Sequence, residues 1–321
     1  MRLVSIVIPC YCSEDSLPVV VADIAATFAQ REGFDYEVIL VNDCSPDHVL
    51  AVAIRLAAQN PRIKVLDLSK NFGQHSAIMA GFRHVSGDIV VGMDDDGQTP
   101  PQQIFRLVDR LNTDCDLVFA KYENKKHSFF RNIGSYANEL MLRALLKKPK
   151  HLILMSYFAC KRFVVEEAVR YKNPYPYISG LLLRATNKIA NVSVDHQARA
   201  LGKSTYTLRK LLSLWLNGFT AFSVLPLRIA TIMGMVSSLL GFIYGVITII
   251  RKLVNNAVPM GYSSTMAALL LIGGLILMML GVIGEYLGRI YISMNNSPQY
   301  VVRETVNIEK DSEERDPQRE I

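Results

Sequence analysis

The stretch DIVVGMDDDGQTPP, residues 88–101, decides how the first part of the chain folds. Its apolar run at 89–93 has the length and β-branched content of a buried strand, and Pro101 suits the first turn of a following helix. Between the two stand Asp94, Asp95 and Asp96, whose like charges repel one another. The stretch therefore predicts a strand, an acidic loop and a helix. The loop is either a solvated turn or a cation site.

The same succession of strand, loop and helix recurs over the first part of the chain. Strand-like runs lie at 3–8, 36–41, 63–68, 89–93 and 116–120, and helix candidates lie between them at 16–30, 47–59, 74–85 and 101–112. This alternation predicts an α/β domain with a mainly parallel sheet covered by helices on both faces. Ligands of such sheets bind beyond the carboxyl ends of the strands. Polar residues follow those strand ends in this chain.

Two uncharged apolar runs near the C-terminus predict a two-helix transmembrane hairpin. They span about 229–250 and 263–284, and at about 1.5 Å per residue each can cross a hydrocarbon core of about 30 Å. A buried hairpin in a soluble core is the alternative. The predicted organisation is a catalytic domain at 1–205, a juxtamembrane amphipathic helix at 206–225, the two spans within 226–290 and a C-terminal tail at 291–321.

The flanks of this hairpin predict where the catalytic domain lies. The N-terminus lacks the long apolar segment and cleavage site of a secretory signal, and Lys and Arg are more numerous outside the hairpin than in its loop. We therefore expect an integral protein of the inner or plasma membrane, with the catalytic domain and the tail in the cytoplasm. Five cysteines without a CxxC pair favour a reducing compartment.

Charge and small-residue patterns predict the partners. The net charge is +6, but the basic residues cluster at 121–210 near the spans and no nucleic-acid motif accompanies them. We expect anionic lipid or a phosphorylated substrate, and no nucleic acid. The amphipathic segments 128–146 and 204–222 are either ordinary packing helices or helices in the membrane interface. Glycines at helical spacing predict close packing within the hairpin or a homo-oligomer: Gly234, Gly241, Gly245, Gly274, Gly281 and Gly288.

The acidic loop has the composition of a divalent metal site. If the strand continued, Asp94 and Asp96 would share one side while Asp95 pointed away. Two carboxylates and the amide oxygen of Gln98 are hard ligands suited to Mg²⁺ or Mn²⁺. A prenyl-synthase DDxxD motif fails, because Gln98 or Thr99 stands where it needs its last aspartate. The chain also lacks a Walker A sequence and GxGxxG, so a nucleotide would bind through strand-end side chains and a metal-bridged diphosphate.

Seven segments spread over nearly the whole chain carry a resemblance to a known family. They are SIVIPCYCSEDSLP, VILVNDCSPD, LSKNFGQHSAIMAGF, GDIVVGMDDDGQTPP, FFRNIGS, HQARALGKSTY and FSVLPLR. Together they resemble glycosyltransferase family 2 enzymes with a GT-A fold, a Rossmann-like α/β fold. Within that family the chain is similar to polyprenol-phosphate glycosyltransferases, such as dolichol-phosphate mannose synthases and bacterial undecaprenyl-phosphate sugar transferases.

The resemblance implies roles for individual residues. Asp94, Asp96 and Arg131 would be catalytic, and Asp94, Asp96 and Gln98 would hold Mg²⁺ or Mn²⁺. The implied nucleotide-sugar site, for a UDP- or GDP-sugar, comprises Pro9, Tyr11, Asp43, Gln74, Asp94 and Asp95. The implied phosphate and acceptor site comprises Arg131, Ser135, Arg199, Lys203 and Ser204. Simpler roles are a strand end for Pro9, a turn cap for Asp43 and an interfacial lipid contact for Arg131.

The chain departs from the family pattern at three places. Cys12 and Ser13 stand where relatives usually carry Asn-Glu, Ser156 stands where many carry an acidic residue, and Thr205 replaces a lysine of some relatives. Glu14 or Asp15 would substitute for the missing Asn-Glu if the loop shifts by one residue. These departures bear on the donor sugar and on any carboxylate base near Ser156.

The implied reaction is sugar transfer with inversion from a nucleotide sugar to polyprenyl phosphate. A phosphate monoester, whose second pKa is about 6, is already a nucleophile at neutral pH and needs no base. Two alternatives stay open at this point. One is transfer to a glycolipid or polysaccharide hydroxyl, which needs a base; the other is a degenerate transferase that serves as a membrane scaffold.

Overall fold

The computed structural model describes residues 1–122, 152–195, 261–294 and 298–308, together with isolated helical positions between 232 and 250. The chain divides into two compact units. The first contains residues 1–205 and 298–321, and the second contains residues 206–297. The predicted amphipathic segments at 128–146 and 204–222 lie outside the described residues.

The first unit is built on one eight-stranded sheet with the strand order β7-β5-β6-β4-β1-β2-β3-β8. Strands β1 to β4 are mutually parallel, β5 and β7 are parallel, and β6 and β8 run antiparallel to their neighbours. The prediction of a mainly parallel α/β sheet is confirmed. The strands are β1 Arg2–Cys10, β2 Phe34–Asn42, β3 Ile63–Leu68, β4 Ile89–Gly92, β5 Leu117–Tyr122, β6 Phe158–Lys161, β7 Ile189–Val194 and β8 Val302–Val306.

Helices connect the strands and cover the sheet. They are α1 Leu17–Ala29, α2 Val49–Gln59, α3 Gln74–Phe82, α4 Ile104–Leu111, α5 Arg162–Val169 and α6 Ile178–Ala185, with a 3₁₀ turn at Pro101–Gln103 before α4. Pro18 and Pro101 lie in first turns, as predicted for Pro101, where a missing N–H costs little. The central strands are rich in valine, isoleucine and leucine residues that are almost entirely buried, as expected for strands covered on both faces.

Strand β8 was not anticipated from the sequence, which predicted only a tail from residue 291 onward. It pairs with the edge strand β3, and Arg303 contacts the buried carboxylate of Asp67 at 3.3 Å. The Asn307 amide donates hydrogen bonds to the carbonyls of Ala57 and Ile63. The chain on either side of the second unit therefore belongs to the same sheet.

The second unit contains the helix α7, Tyr262–Met294, which is longer than the predicted second span. Its stretch Leu271–Gly288 is, among the described residues, the one helical segment long and apolar enough to cross a membrane. Residues described between 232 and 250 are also helical. A Cβ added at Gly234 would meet the end of the Met279 side chain, so a larger residue at Gly234 would press on α7. The two-span prediction rests on one described candidate helix.

A buried ionic network fastens the amino-terminal side of the central strands. The Glu37 carboxylate in β2 accepts hydrogen bonds from the Ser5 hydroxyl at 2.5 Å, the Ser86 N–H at 2.6 Å and the Lys64 ammonium at 2.7 Å. Burial opposes ionisation, but these hydrogen bonds outweigh it and hold the pKa of Glu37 below its usual range. Glu37 is only 6% exposed, so solvent screens this network little.

We expect Glu37→Gln to lower the free energy of unfolding by about 1–3 kcal/mol at pH 7, because Lys64 loses its charged partner. A lowered folded-state pKa means that the ionised Glu37 stabilises the fold above the unfolded pKa of about 4.3. The difference between the two proteins should therefore shrink as the pH falls below about 4. Thermal unfolding of the full chain in detergent, measured from pH 3 to 8, tests this. Glu166→Gln, which breaks an exposed pair with Arg162, should change stability by less than about 0.5 kcal/mol.

Candidate active site

The parallel topology gathers four loops at one edge of the sheet. The loops follow β1, β2, β3 and β4, and β1 lies between β2 and β4 in the sheet. The chain winds from β1 toward β2 and β3 on one side and returns to β4 on the other. The order thus reverses between β1 and β4, the position at which open α/β sheets form their ligand crevice. Asp94, Asp95 and Asp96 lie in the loop that follows β4.

The acidic loop is not a continuation of the strand. Strand β4 ends at Gly92, and the segment Asp95 to Gly97 forms a bend in which Gly97 has a φ of +74°. The sequence argument from alternating strand side chains is therefore wrong, because the chain leaves the strand before Asp94. Hydrogen bonds from three different parts of the fold set the directions of the aspartates instead.

The Asp94 carboxylate is held by two side-chain donors. The Ser156 hydroxyl donates to Oδ2 at 2.5 Å, and the Gln74 amide at the start of α3 donates to Oδ1 at 2.9 Å. Burial raises the pKa of Asp94 to about 6 against the effect of the Ser156 hydrogen bond, and the charges of Asp96 and Asp95 raise it further. A nearby positive charge would stabilise the ionised form of the Asp94 carboxylate. Ser156, where the sequence suggested a lost base, thus serves as a hydrogen-bond donor to Asp94.

Asp95 faces a different part of the fold from Asp94. Its Oδ2 accepts the Tyr11 N–H at 3.0 Å, and its backbone carbonyl accepts the Ser16 hydroxyl at 2.7 Å. These contacts fasten the acidic loop to the loop after β1. Burial raises the pKa of Asp95. Its separation from the partners of Asp94 agrees with the expectation that Asp95 points elsewhere, although hydrogen bonds and not strand geometry produce it.

Asp96 and Gln98 lie in the C-terminal half of the acidic loop. The Gln98 N–H donates to Asp96 Oδ1 at 3.0 Å, and the Tyr122 hydroxyl donates to the Gln98 carbonyl at 3.3 Å. Among the residues that the structure describes, no three His, Cys, Asp or Glu side chains converge closely enough to hold a metal ion. A donor set of carboxylates and an amide still fits Mg²⁺ or Mn²⁺, because such ions often use one or two carboxylates plus substrate phosphates and water.

Asp43 anchors the loop that leads into α3. Its two carboxylate oxygens accept the N–H groups of Phe72 at 2.7 Å and Gly73 at 2.8 Å. Gly73 precedes α3 with a φ of +90°, a conformation that glycine adopts without strain. Burial raises the pKa of Asp43, which is 3% exposed. Asp43 therefore fixes the start of α3, from which Gln74 reaches Asp94, and its role toward a nucleobase stays a prediction.

The loops after β1 and β2 are joined to each other. The Cys12 N–H donates to the Ser45 hydroxyl at 2.8 Å. Glu14 makes two contacts with the second loop: its N–H donates to Asp47 at 3.0 Å, and its carboxylate accepts the His48 N–H at 2.8 Å. Cys12 has a φ of +55°. Glu14, considered as a substitute for the missing Asn-Glu, thus joins the two loops.

The remaining predicted site residues divide into two groups. Pro9 is part of β1 and pairs with Val41, so its simpler role as a strand residue fits, and Tyr11 lies 49% exposed in the loop beyond. The predicted phosphate and acceptor residues lie outside the described residues: Arg131, Ser135, Arg199, Lys203 and Ser204. Sequence reasoning noted Ser156 only as a departure from the family pattern and missed its hydrogen bond to Asp94. It did not identify Ser16, since a lone serine carries no pattern of its own.

A mainly parallel sheet with an acidic loop beyond its reversal point agrees with the GT-A fold that the resemblance implied. The family model for glycosyl transferase family 2 matches residues 5–169, and a model described as the GtrB C-terminal hairpin matches residues 225–290. The chain belongs to glycosyl transferase family 2, and the protein is a glycosyltransferase.

Curated relatives match the chain over nearly its whole length. A protein of Photorhabdus laumondii named undecaprenyl-phosphate 4-deoxy-4-formamido-L-arabinose transferase is 32% identical over 318 residues, covering 97% of this chain and 96% of that protein. A protein of Pectobacterium atrosepticum with the same name is 34% identical, covering 96% and 94%. The chain is thus similar to polyprenol-phosphate sugar transferases, as its motifs indicated.

Solved structures match the fold of the chain. Glucosyl-3-phosphoglycerate synthase from Mycobacterium tuberculosis, in complex with Mn²⁺, UDP-glucose and phosphoglyceric acid, has a TM-score of 0.52 and 20% identity. The match covers 69% of this chain and 78% of that one. At this identity the likeness shows the GT-A-like fold alone.

Proposed function

We propose that the protein transfers a sugar from a nucleotide sugar to a polyprenyl phosphate, undecaprenyl or dolichyl phosphate, at the cytoplasmic face of the membrane. The product would supply lipid-linked sugar for glycan or lipopolysaccharide modification. The observation that carries the proposal is the Asp94 to Gln98 loop, which stands at the carboxyl edge of the sheet and is supported by α3 and Ser156. The printed names of the relatives, which specify undecaprenyl phosphate, support the acceptor.

In the proposed reaction an acceptor phosphate oxygen forms a bond to the anomeric carbon as the bond from that carbon to the nucleoside diphosphate breaks. The electron pair leaves with the diphosphate, and the anomeric configuration inverts. The phosphate is already ionised at neutral pH. The reaction therefore needs no carboxylate base at position 156, where this chain has a serine. Donor groups aimed at the leaving diphosphate would lower the barrier.

This chain's residues would divide the work of the proposed reaction. Asp94, Asp96 and Gln98 would hold Mg²⁺ or Mn²⁺, which supplies positive charge beside the leaving diphosphate. Pro9, Tyr11, Asp43, Gln74 and Asp95 would line the nucleotide-sugar site directly or by fixing its loops. Arg131, Ser135, Arg199, Lys203 and Ser204 would hold the acceptor phosphate, with Arg131 acting in catalysis.

The sheet itself supports an even number of membrane crossings. Strand β8 comes after the second unit in the chain and pairs with β3, which comes before that unit. Both flanks of residues 206–297 therefore belong to one folded body. If α7 crosses the membrane, a second crossing must return the chain to the side on which it began. We propose two spans within 226–290, with the catalytic domain and the C-terminal residues in the cytoplasm. A homo-oligomer, suggested by the glycine spacing, stays a prediction.

We expect the purified full-length protein in detergent to convert undecaprenyl phosphate into a lipid-linked sugar with Mn²⁺ or Mg²⁺ and one nucleotide sugar of a panel. The panel contains UDP-glucose, UDP-galactose, UDP-N-acetylglucosamine, GDP-mannose and a UDP-aminoarabinose derivative. Product is measured by mass spectrometry of the lipid fraction, and EDTA should abolish it.

Undecaprenol, which offers a hydroxyl in place of the phosphate, is the matched control acceptor and should give no product. Transfer to undecaprenol or to diacylglycerol at a comparable rate would favour the hydroxyl-acceptor reaction. Absence of lipid-linked sugar with every donor would contradict the proposal and favour the scaffold.

A further inference from the structure

His75 is a side chain at the start of α3 that none of the roles above uses. It is the second residue of α3 and follows Gln74, whose amide contacts Asp94. The His75 Nδ1 atom is buried and has no hydrogen-bond partner among the described residues. The ring meets the Tyr177 ring edge to face, with the centroids 5.3 Å apart. Leaving a buried polar group unpaired costs about 1–3 kcal/mol, so such a group in a native structure calls for an explanation.

The surroundings of His75 fix its protonation. Burial lowers its pKa to about 4, so the imidazole is neutral at pH 7 and carries one proton. An orphaned buried N–H is rarer in proteins than an under-satisfied acceptor. We therefore assign the proton to Nε2, since Nδ1 is enclosed and no described residue accepts a hydrogen bond from it. His75 then presents an uncharged donor, the Nε2–H group, next to the residue that holds Asp94.

We propose that His75 Nε2–H donates a hydrogen bond to a hydroxyl oxygen of the donor sugar, and that Tyr177 keeps the ring in the required orientation. This inference rests on the proposed function and adds a specificity-determining residue to it. An uncharged planar donor backed by an aromatic ring suits a neutral hydroxyl, because ligand sites fix orientation with a few placed polar groups among apolar ones. Phosphates are held more strongly by guanidinium groups and metal ions.

The position of His75 in the fold agrees with contact to the sugar. Helix α3 begins at the carboxyl edge of the sheet, where Asp43 accepts the N–H groups of Phe72 and Gly73, the two residues before the helix. Tyr177 immediately precedes α6, and the carbonyls of Tyr171 and Asn173 on that connection accept hydrogen bonds from the buried Gln299 amide. Both rings of the pair therefore stand on anchored backbone. Preorganised groups of this kind discriminate between ligands without paying for rearrangement on binding.

The test compares binding of a nucleotide sugar with binding of its bare nucleoside diphosphate. Isothermal titration of the full-length protein in detergent with Mn²⁺ uses the pairs UDP-glucose and UDP, and GDP-mannose and GDP. For the pair that binds the wild-type protein, His75→Ala should weaken nucleotide-sugar binding about tenfold, as expected for one lost hydrogen bond to a hydroxyl. Binding of the bare diphosphate should change less than about twofold. His75→Gln, whose amide offers an N–H near the same place, should recover part of the loss.

The control is His84→Ala, just beyond the opposite end of α3, which should leave both affinities unchanged. Thermal unfolding of each variant separates loss of contact from loss of fold. Equal weakening of sugar and diphosphate binding by His75→Ala would overturn the inference, as would no change in either. If the wild-type protein binds neither pair, the proposed function fails as well. If the wild type binds a pair and His75→Ala binds it equally well, the inference about His75 fails while the proposed function stands.

Discussion

Asp94→Asn is expected to stabilise the metal-free protein while lowering sugar transfer at least about 100-fold, the size of effect seen when one group that stabilises transition-state charge is removed. The Asp94 carboxylate is ionised at pH 7 although burial raises its pKa to about 6. Asparagine keeps an oxygen toward the Gln74 amide, and its own amide can donate to the Ser156 hydroxyl. It would lack the charge that the proposed metal site requires.

The stabilisation has a definite sign and pH dependence. A folded-state pKa above the unfolded value of about 3.9 means that ionised Asp94 costs folding free energy, at about 1.36 kcal/mol per pKa unit. The cost is absent below about pH 4 and complete above about pH 6. After allowance for solvent near the loop, we expect Asp94→Asn to raise the free energy of unfolding by about 1–2 kcal/mol at pH 7.5 and to change it little at pH 4.

Thermal unfolding in detergent with EDTA measures this effect, since about 1 kcal/mol corresponds to a shift in Tm of about 2–4 °C in a protein of this size class. Asp109→Asn, at an exposed pair with Arg31, is the matched control and should change Tm little at either pH. Added Mn²⁺ with a nucleotide should stabilise the wild type more than the variant. A variant that is destabilised at pH 7.5, or that retains full transfer, would contradict this account of Asp94.

The fold could be predicted wherever local pattern and burial agree. Strands β1 to β4 are apolar runs separated by helical segments. This alternation of strands and helices alone indicates a parallel sheet covered by helices. Strand β8 escaped prediction because two of the five residues of its sequence, VRETV, are charged. Its place depends on pairing with β3 across a separation of more than 200 residues, which no local pattern records.

The candidate site was predictable in composition but not in geometry. The run of three aspartates identified the acidic loop, because adjacent carboxylates are costly without a cation. The contact between Ser156 and Asp94 joins residues 62 positions apart, and a serine gives no sign of such a partner. The end of β4 at Gly92 also lay beyond what an apolar run reveals, because Met93 continues the run without continuing the strand. In the sequence His75 is one member of a motif, and only the structure shows that its Nδ1 atom has no hydrogen-bond partner among the described residues.

Asp95→Asn and Asp96→Asn are expected to differ widely although the two residues are adjacent and carry the same charge. Asp95 holds the Tyr11 N–H through one carboxylate oxygen, and asparagine retains an oxygen that can accept this bond. We expect Asp95→Asn to keep transfer within about fivefold of the wild type, because a neutral acceptor weakens such a bond by only about 1 kcal/mol.

Asp96→Asn should lower transfer at least about 100-fold, because a proposed metal ligand loses its charge beside a diphosphate that must be neutralised as it leaves. The same variant should raise the Mn²⁺ concentration needed for half-maximal rate, whereas Asp95→Asn should leave it nearly unchanged. Initial rates measured across a Mn²⁺ titration distinguish the two effects, and Asp95→Ala, which removes the acceptor for Tyr11, should fall between them. An equal loss of transfer in the two asparagine variants would mean that the three aspartates act together as one charge cluster. The separate hydrogen bonds of Asp94 and Asp95 would then not give these residues separate roles.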